Sequence, residues 1–428
     1  MRKLLLASAA SLLAAGTAFA QPATQVAAPG TVVVHLHGYF QYSVGGFGSS
    51  NMGSDAAGYK LDGYGTSGDF RLYPGFDGQT ANGIWYGAQV ELRTATNEAS
   101  GSGVGSSNSS GFGGLYVRRA YGYIGMPEYG FVRFGQTDSA FTLSQVGVIE
   151  NFGDGGHFNN DGGSASMLPT APGLFIYADT GHLYTTDKVV YETPKFETNI
   201  GNFSGIVGFE PNSNGLKQGE GSGVVGSANG ESVGSVANGS NSRRRNTVDV
   251  SLSYANLIDG FANKVSVSYL NGTPLSSTNG LYGSTKAAAP RGYDSLSVFQ
   301  GGLQTTYAGL TVGGNIKFGQ VEDSYNFKPK GARDAFGYIV GASYNNGPYT
   351  IGVAYFNEQS AGKYQPGAPG KYARTLSEYG ISTGADYQLA KPISLFVEYD
   401  YGHQHQPSSV AATNTQEQVV AVGTTLKW

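Results

Sequence analysis

The side chains able to do chemistry in this sequence are charged, and they fall into two groups. Arg71, Arg93, Arg118, Arg119 and Arg133 lie in stretches of alternating polarity. Glu150, Asp154, Asp161 and Asp179 lie in a long tract rich in Gly, Asn and Ser, with no Lys or Arg between Gln136 and Asp187. Fixed charges of opposite sign around a narrow, low-dielectric opening select ions, and that is the chemistry the two groups offer. Catalytic alternatives are poorer. Gly230-Glu231-Ser232-Val233-Gly234 has the letters of a nucleophile elbow but neither the strand before it nor the helix after it. Gly221-Ser222-Gly223-Val224-Val225-Gly226 has the dinucleotide pattern with no helix to receive a pyrophosphate. His35 and His37 share one face and His403 and His405 another, at opposite ends of their elements. Two ligands fall short of a metal site, so they read as lumen or loop residues. No enzyme activity, metal or cofactor is expected.

The elements that must position these residues are strands. From Thr31 to Val44, Val32, Val34, Leu36, Gly38, Phe40, Tyr42 and Val44 fall on one face, and Val33, His35, His37, Tyr39, Gln41 and Ser43 fall on the other, mostly polar face. From Gly83 to Asn97, Ile84, Tyr86, Ala88, Val90 and Leu92 oppose Trp85, Gln89, Glu91 and Arg93. The pattern recurs near 68–77, 114–125, 131–138, 186–194, 200–210, 246–256, 261–271, 293–308, 310–321, 335–345, 349–358, 376–389, 393–402 and 416–428, about sixteen strands in all. It slips near Arg71 and Ala308. Arg93 and Arg133 sit on the polar phase of their strands. Strict alternation allows only one of Arg118 and Arg119 to face inward and does not say which.

The connections alternate in length. Met126-Pro127-Glu128-Tyr129-Gly130, Asn345-Asn346-Gly347-Pro348 and Ala390-Lys391-Pro392 are tight turns. Long Gly/Ser/Asn tracts separate them at about 98–113, 211–244, 272–292 and 359–375. Short turns on one end and long loops on the other are the layout of a transmembrane β-barrel. The tract after Gln136 differs from the other loops because it carries Phe152, Phe158, Phe175, Ile176 and Tyr177. A solvated tether does not need aromatics, and a loop folded back into an enclosure does.

Composition agrees. Gly is 67 of 428 residues, Tyr 29, Phe 22 and Trp 2, and charged residues are 13%, about half the ordinary soluble share. No later run is long and apolar enough for a membrane helix, so a membrane-spanning chain of this kind must be a closed barrel. Residues 1–20 read as a secretory signal peptide: Arg2 and Lys3, an apolar run from Leu4 to Ala15, and Ala18-Phe19-Ala20 before Gln21. Without Arg2 and Lys3 the remaining chain, 21–428, keeps 24 basic and 30 acidic residues, a formal charge of −6. It is read as one domain. There is no cysteine. Apart from Arg243-Arg244-Arg245 no basic cluster appears, so no nucleic-acid partner is expected.

Three stretches together resemble the Gram-negative general porins. They are the closing strand Gln418 to Trp428 with its terminal aromatic; Tyr123-Ile124-Gly125-Met126 followed by Gly130-Phe131-Val132-Arg133-Phe134-Gly135; and Val189-Val190-Tyr191-Glu192-Thr193-Pro194-Lys195-Phe196. Members of that family typically end in Phe where this chain has Trp428. Many carry Arg after the glycine that ends the strand before the third loop, where this chain has Gln136. The resemblance implies an all-β, sixteen-stranded antiparallel barrel whose third loop folds into the lumen. It implies an outer-membrane location, a trimer, contact with outer-membrane lipid, and passive diffusion of small hydrophilic solutes and ions. It places Glu150, Asp154 and Asp161 at a constriction, Arg71, Arg93, Arg118, Arg119 and Arg133 on the facing wall, and Trp428 in barrel closure. Two other readings stand beside it. One is a substrate-selective channel, for sugars for instance, with Tyr39, Trp85 and Tyr177 along the path. The other is a secreted, soluble all-β binding protein.

Overall fold

The computed structural model describes residues 27–50, 62–95, 115–155, 163–167, 186–212, 244–274, 293–321, 327–328, 330–361, 375–406 and 413–428. The expected signal peptide at 1–20, both Gly/Ser motifs, Asp161, Phe158, Phe175, Ile176, Tyr177 and Asp179 lie outside the described residues.

Alternating sequence becomes strand throughout. In chain order the strands are β1 (Thr31–Ser49), β2 (Tyr64–Gln79), β3 (Trp85–Ala95), β4 (Leu115–Met126), β5 (Gly130–Gln136), β6 (Asp187–Glu192), β7 (Phe196–Thr198), β8 (Gly201–Asn212), β9 (Arg244–Ile258), β10 (Phe261–Pro274), β11 (Leu296–Tyr307), β12 (Leu310–Gln320), β13 (Ala335–Asn346), β14 (Tyr349–Ser360), β15 (Leu376–Ala390), β16 (Ile393–Gln406) and β17 (Thr413–Lys427). The neighbours pair antiparallel in one sheet, and β17 returns to β1, Tyr39 opposite Lys427 and Ser49 opposite Glu417, so the sheet closes. β6 and β7 both pair with β8, Glu192 opposite Ile206 and Phe196 opposite Phe203. Thr193-Pro194-Lys195 between them is a one-residue slip where Pro194 has no N–H to give. The seventeen segments of the sheet are therefore sixteen staves.

The burial pattern is that of a soluble protein turned inside out. Large apolar side chains point outward, Val34 80% exposed, Leu252 62% and Val422 57%. The other phase of the strands is polar and buried, as at Ser43, Glu91, Asp249, Gln300 and Glu398. Apolar-out and polar-in on a closed wall is the arrangement of a barrel set in lipid around water. Outward aromatics form two belts. Phe203–Tyr254, Phe261–Tyr307 and Tyr349–Tyr387 pair near the short turns, and Tyr269–Phe299 and Phe299–Phe318 pair nearer the long loops. Phe261 and Tyr269 lie eight residues apart on β10, about 26 Å along a strand, comparable with the ~25 Å apolar band of outer-membrane barrels.

The turns follow their sequence. Asp259-Gly260 and Ala308-Gly309 are two-residue turns with φ of 50° and 85°, and 47° and 86°, the left-handed pair that matches strand twist. Ala308 therefore belongs to the turn, and the strand expected over 293–308 is β11, ending at Tyr307. The doubtful strand near Arg71 is the sixteen-residue β2. Its alternation runs on through Pro74, and only the β2–β3 pairing lapses there, between Leu72 and Gly75.

Candidate functional site

The inward face of β2, β3 and β4 gathers four arginines. Arg71 stands directly opposite Arg93 across β2–β3. Two cations at neighbouring positions need anions, and the same strands supply them. Arg71 Nη2 lies 2.7 Å from Asp69 Oδ2, which also accepts from Tyr39 Oη at 2.9 Å. Glu91 is met by Arg93 Nε, by Arg118 Nη1 at 3.3 Å and by Arg119 Nε at 3.2 Å. Arg119 Nη1 reaches Asp138 Oδ2, past the end of β5, at 3.2 Å. Arg118 and Arg119 thus share one inward carboxylate, which corrects the expectation that only one of them can face inward. The register slips between Glu91–Arg119 and Leu92–Val117, leaving Arg118 as the extra residue of a bulge, and a bulge breaks alternation. Four guanidiniums against Asp69, Glu91 and Asp138 leave this patch formally positive by one. Arg133 lies apart, nearer the short turns, paired with Glu192 and 5.6 Å from the Tyr121 ring centroid.

The segment after β5 runs along the inward side of the wall. Ser139 caps a single helical turn, Ala140–Leu143, its Oγ accepting from Thr142 N at 3.2 Å. Phe141 N donates to Asp249 Oδ2 at 2.8 Å, and Ser144 Oγ lies 2.7 Å from Ser251 Oγ and 2.8 Å from Ser268 Oγ. Asn315 Nδ2 then donates to Val146 O at 2.8 Å, Gly153 N to Asp386 Oδ2 at 2.8 Å, Asp154 N to Glu398 Oε2 at 2.6 Å, and Gln41 Nε2 to Asp154 O at 3.0 Å. Met167 ends the described path, packed with Val419, Ala421 and Phe47. The segment therefore lies as a belt against β9 through β12, then β15 to β17 and β1.

Glycines make room for it. A Cβ on Gly302 would lie 2.1 Å from Val146 O, on Gly313 3.0 Å from Gly147 Cα, on Gly341 2.9 Å from Ile149 Cβ, and on Gly352 2.0 Å from the Phe152 ring. Gly313 pairs with Gly341 and Gly352 with Gly384, so the missing side chains form a track across β11 to β15. Phe141, Val148, Ile149 and Phe152 of the belt join Val298, Ile339, Ala354 and Phe356 of the wall in one buried cluster. Each such side chain contributes about 1.5–3 kcal/mol on burial.

Of the acidic residues of the tract, Asp138 meets Arg119, while Glu150 and Asp154 have described partners elsewhere. The Asp154 carboxylate accepts from Ser164 Oγ at 2.6 Å. Glu150 is buried in the belt, an electrostatic neighbour of Lys317. Asp161 lies outside the described residues. Sequence reasoning missed a second acidic set on the wall itself: Glu358, Glu378, Glu398, Asp400 and Glu417 are buried on β14 to β17, with Glu358 directly opposite Glu378. Their signal was present, since each sits on the polar phase of its strand. His35 and His37 stack at 5.2 Å, whereas His403 stacks on Tyr379 at 4.9 Å near the long loops.

Comparison with known proteins matches this architecture. A model of the Gram-negative porin family matches residues 7–406. The outer membrane channel DcaP of Acinetobacter baumannii aligns at a TM-score of 0.53 with 14% identity, covering 95% of this chain and 100% of that one. OmpT of Vibrio cholerae, in its trimer form, gives 0.52 at 12% identity over 93% and 100%. The anion-selective porin from Comamonas acidovorans gives 0.51 at 16% identity over 93% and 100%. No curated protein matches the sequence. At these identities the solved structures speak for the fold alone.

Proposed function

The chain belongs to the Gram-negative porin family, and on that premise we propose how its lumen works. It is an outer-membrane channel for passive diffusion. In our reading the belt from Thr137 to Met167 narrows the water path, and solutes pass between it and the arginine patch of β2 to β4. The observation that carries this is the seating of the belt on inward side chains that are themselves more than nine-tenths buried, at Asp249, Ser251, Ser268, Asn315 and Glu398. Arg71, Arg93, Arg118 and Arg119 form the basic side of the constriction. Arg133 lies below it, toward the short turns. Glu150, Asp154 and Asp161 act with the wall carboxylates Glu358, Glu378, Glu398, Asp400 and Glu417 as the acidic side.

The balance of charge supports a mild preference for cations. Among the buried charged side chains of the described residues, twelve Asp and Glu stand against seven Lys and Arg. A passage lined by excess negative charge concentrates cations, and salt screens the effect over a Debye length of about 10 Å at 0.1 M. One structural neighbour is an anion-selective porin, so this shared fold does not fix the sign. Another is described as a trimer, and we assign the same assembly to this chain. It works as a channel and not as an enzyme, on small hydrophilic solutes and ions, with outer-membrane lipid against its apolar face. The test is the reversal potential of purified protein in a planar bilayer across a tenfold KCl gradient. A cation-selective potential that fades near 1 M salt, with openings grouped in threes, is expected. An anion-selective potential rejects the charge assignment, and single independent openings reject the trimer.

A further inference from the structure

Near the short-turn end of the lumen, on the inward face of β1 to β6, lies a cavity of about 240 Å³ lined by His35, Asp77, Trp85, Gln89, Tyr121, Tyr123, Phe131, Arg133 and Glu192. It is separate from the arginine patch, and none of the described belt residues lines it. Its rings are held in place. Trp85 and Phe131 lie 6.0 Å apart and tilted by 59°, and Tyr123 meets the edge of Phe131 at 6.2 Å. The tyrosine hydroxyls are fixed as donors, Tyr121 Oη to Gln89 Oε1 and Tyr123 Oη to Asp77 Oδ1, both at 2.5 Å. Two buried polar atoms of the lining, Gln89 Nε2 and His35 Nδ1, have no hydrogen-bond partner among the described residues. A buried donor left unsatisfied is costly, so the site is set to receive a polar ligand.

We propose that this cavity is a binding subsite for one neutral sugar ring on its way through the channel, an inference that rests on the channel reading above. A pyranose has an apolar C–H face and a rim of hydroxyls, each both donor and acceptor. The tilted faces of Trp85 and Phe131 take the C–H face, as aromatic bodies do with apolar surface. Gln89 Nε2 and Arg133 supply donors, and Asp77 and Glu192 supply acceptors. The volume falls below the ~300–1,000 Å³ of drug-sized pockets, which suits one ring and not a chain. Asp77 and Glu192 against Arg133 leave the lining formally negative by one, which disfavours an aromatic anion, the other ligand that stacked rings and an arginine would suit.

The protein supplies its own reporter, because Trp85 and Trp428 are its two tryptophans. In a Trp428→Phe background, Trp85 emission is titrated with methyl α-D-glucopyranoside, with benzoate as the anionic probe. A saturable change with a midpoint of about 1–10 mM is expected for the glucoside, the range a ligand of a dozen heavy atoms reaches. Benzoate should give none. Gln89→Leu and Phe131→Leu should each weaken the glucoside at least fivefold while conductance and heat-modifiable mobility in SDS stay unchanged. If one variant does not assemble, the other carries the test. No saturable change with the glucoside, a tighter response to benzoate, or an unaltered midpoint in both variants overturns the proposal. The titration is done in detergent and does not depend on conduction. A conducting barrel without a titration therefore defeats the subsite alone, and a non-conducting barrel defeats the channel reading alone.

Discussion

Glu91 is the residue on which the basic wall turns. It holds Arg93, Arg118 and Arg119 at once. Glu91→Gln keeps the shape and removes the charge. A unit charge about 6 Å from a permeating ion in a wet lumen is worth ~0.7 kcal/mol. Screening at 0.1 M KCl cuts this to ~0.4 kcal/mol, and it acts with opposite sign on K+ and Cl−, so the cation-to-anion permeability ratio should fall about fourfold, read from the reversal potential. Glu378→Gln should move it the same way and Arg118→Ala the opposite way. A ratio unmoved by all three would mean that ions pass elsewhere. The arginines were legible in the sequence as polar-phase residues of strands. The joint inward placement of Arg118 and Arg119 was not, because a bulge is a property of two strands in register and not of one strand read alone. The wall carboxylates of β14 to β17 are legible in the same way, each on the polar phase of its strand.

Among its described residues, the belt between β5 and β6 has no regular structure of its own beyond short helical turns at Ala140–Leu143 and Ser164–Met167. What shapes it is the surface it lies on. Gly352→Val places methyl groups where the Phe152 ring already sits, 2.0 Å from the first added atom, and neither wall nor ring has room to yield. The belt should lift at that point, changing single-channel conductance by a clear step while the barrel keeps its resistance to SDS. Phe152→Ala should loosen the same contact from the other side, losing burial of a ring that is 1% exposed. If both variants conduct as the parent does, the belt does not border the water path. The strands and their ends were readable to within a few residues because alternation and turn chemistry are local. The seat of the belt was not, since glycines spread over β11 to β15 align only once the sheet has closed.

For the molecule as a whole, the β1–β17 seam from Tyr39–Lys427 to Ser49–Glu417 is finished by contacts of Trp428. Trp428 N donates to Gly38 O at 3.1 Å and Gly38 N to Trp428 O at 3.2 Å, and the indole lies 5.8 Å from the Phe70 ring. A Cβ on Gly38 would come within 2.6 Å of that indole, so the first strand is notched to receive the last residue. Trp428→Asp, or deletion of Trp428, should cut the yield of heat-modifiable barrel severalfold, and Trp428→Phe should preserve it. Normal yield from the deletion would show that β1 and β17 pair without the aromatic. The sixteen-stave plan was legible because membrane physics allows a chain with this alternation few other forms. Finally, a bilayer squeezes any hollow cylinder sideways, and an empty wall under that load goes oval. Here the load is carried from within: the belt braces β9 to β12, β15 to β17 and β1, and ion pairs tie β3 to β4. The cross-section is therefore stiff, and the open-channel current should stay constant when suction stretches the membrane.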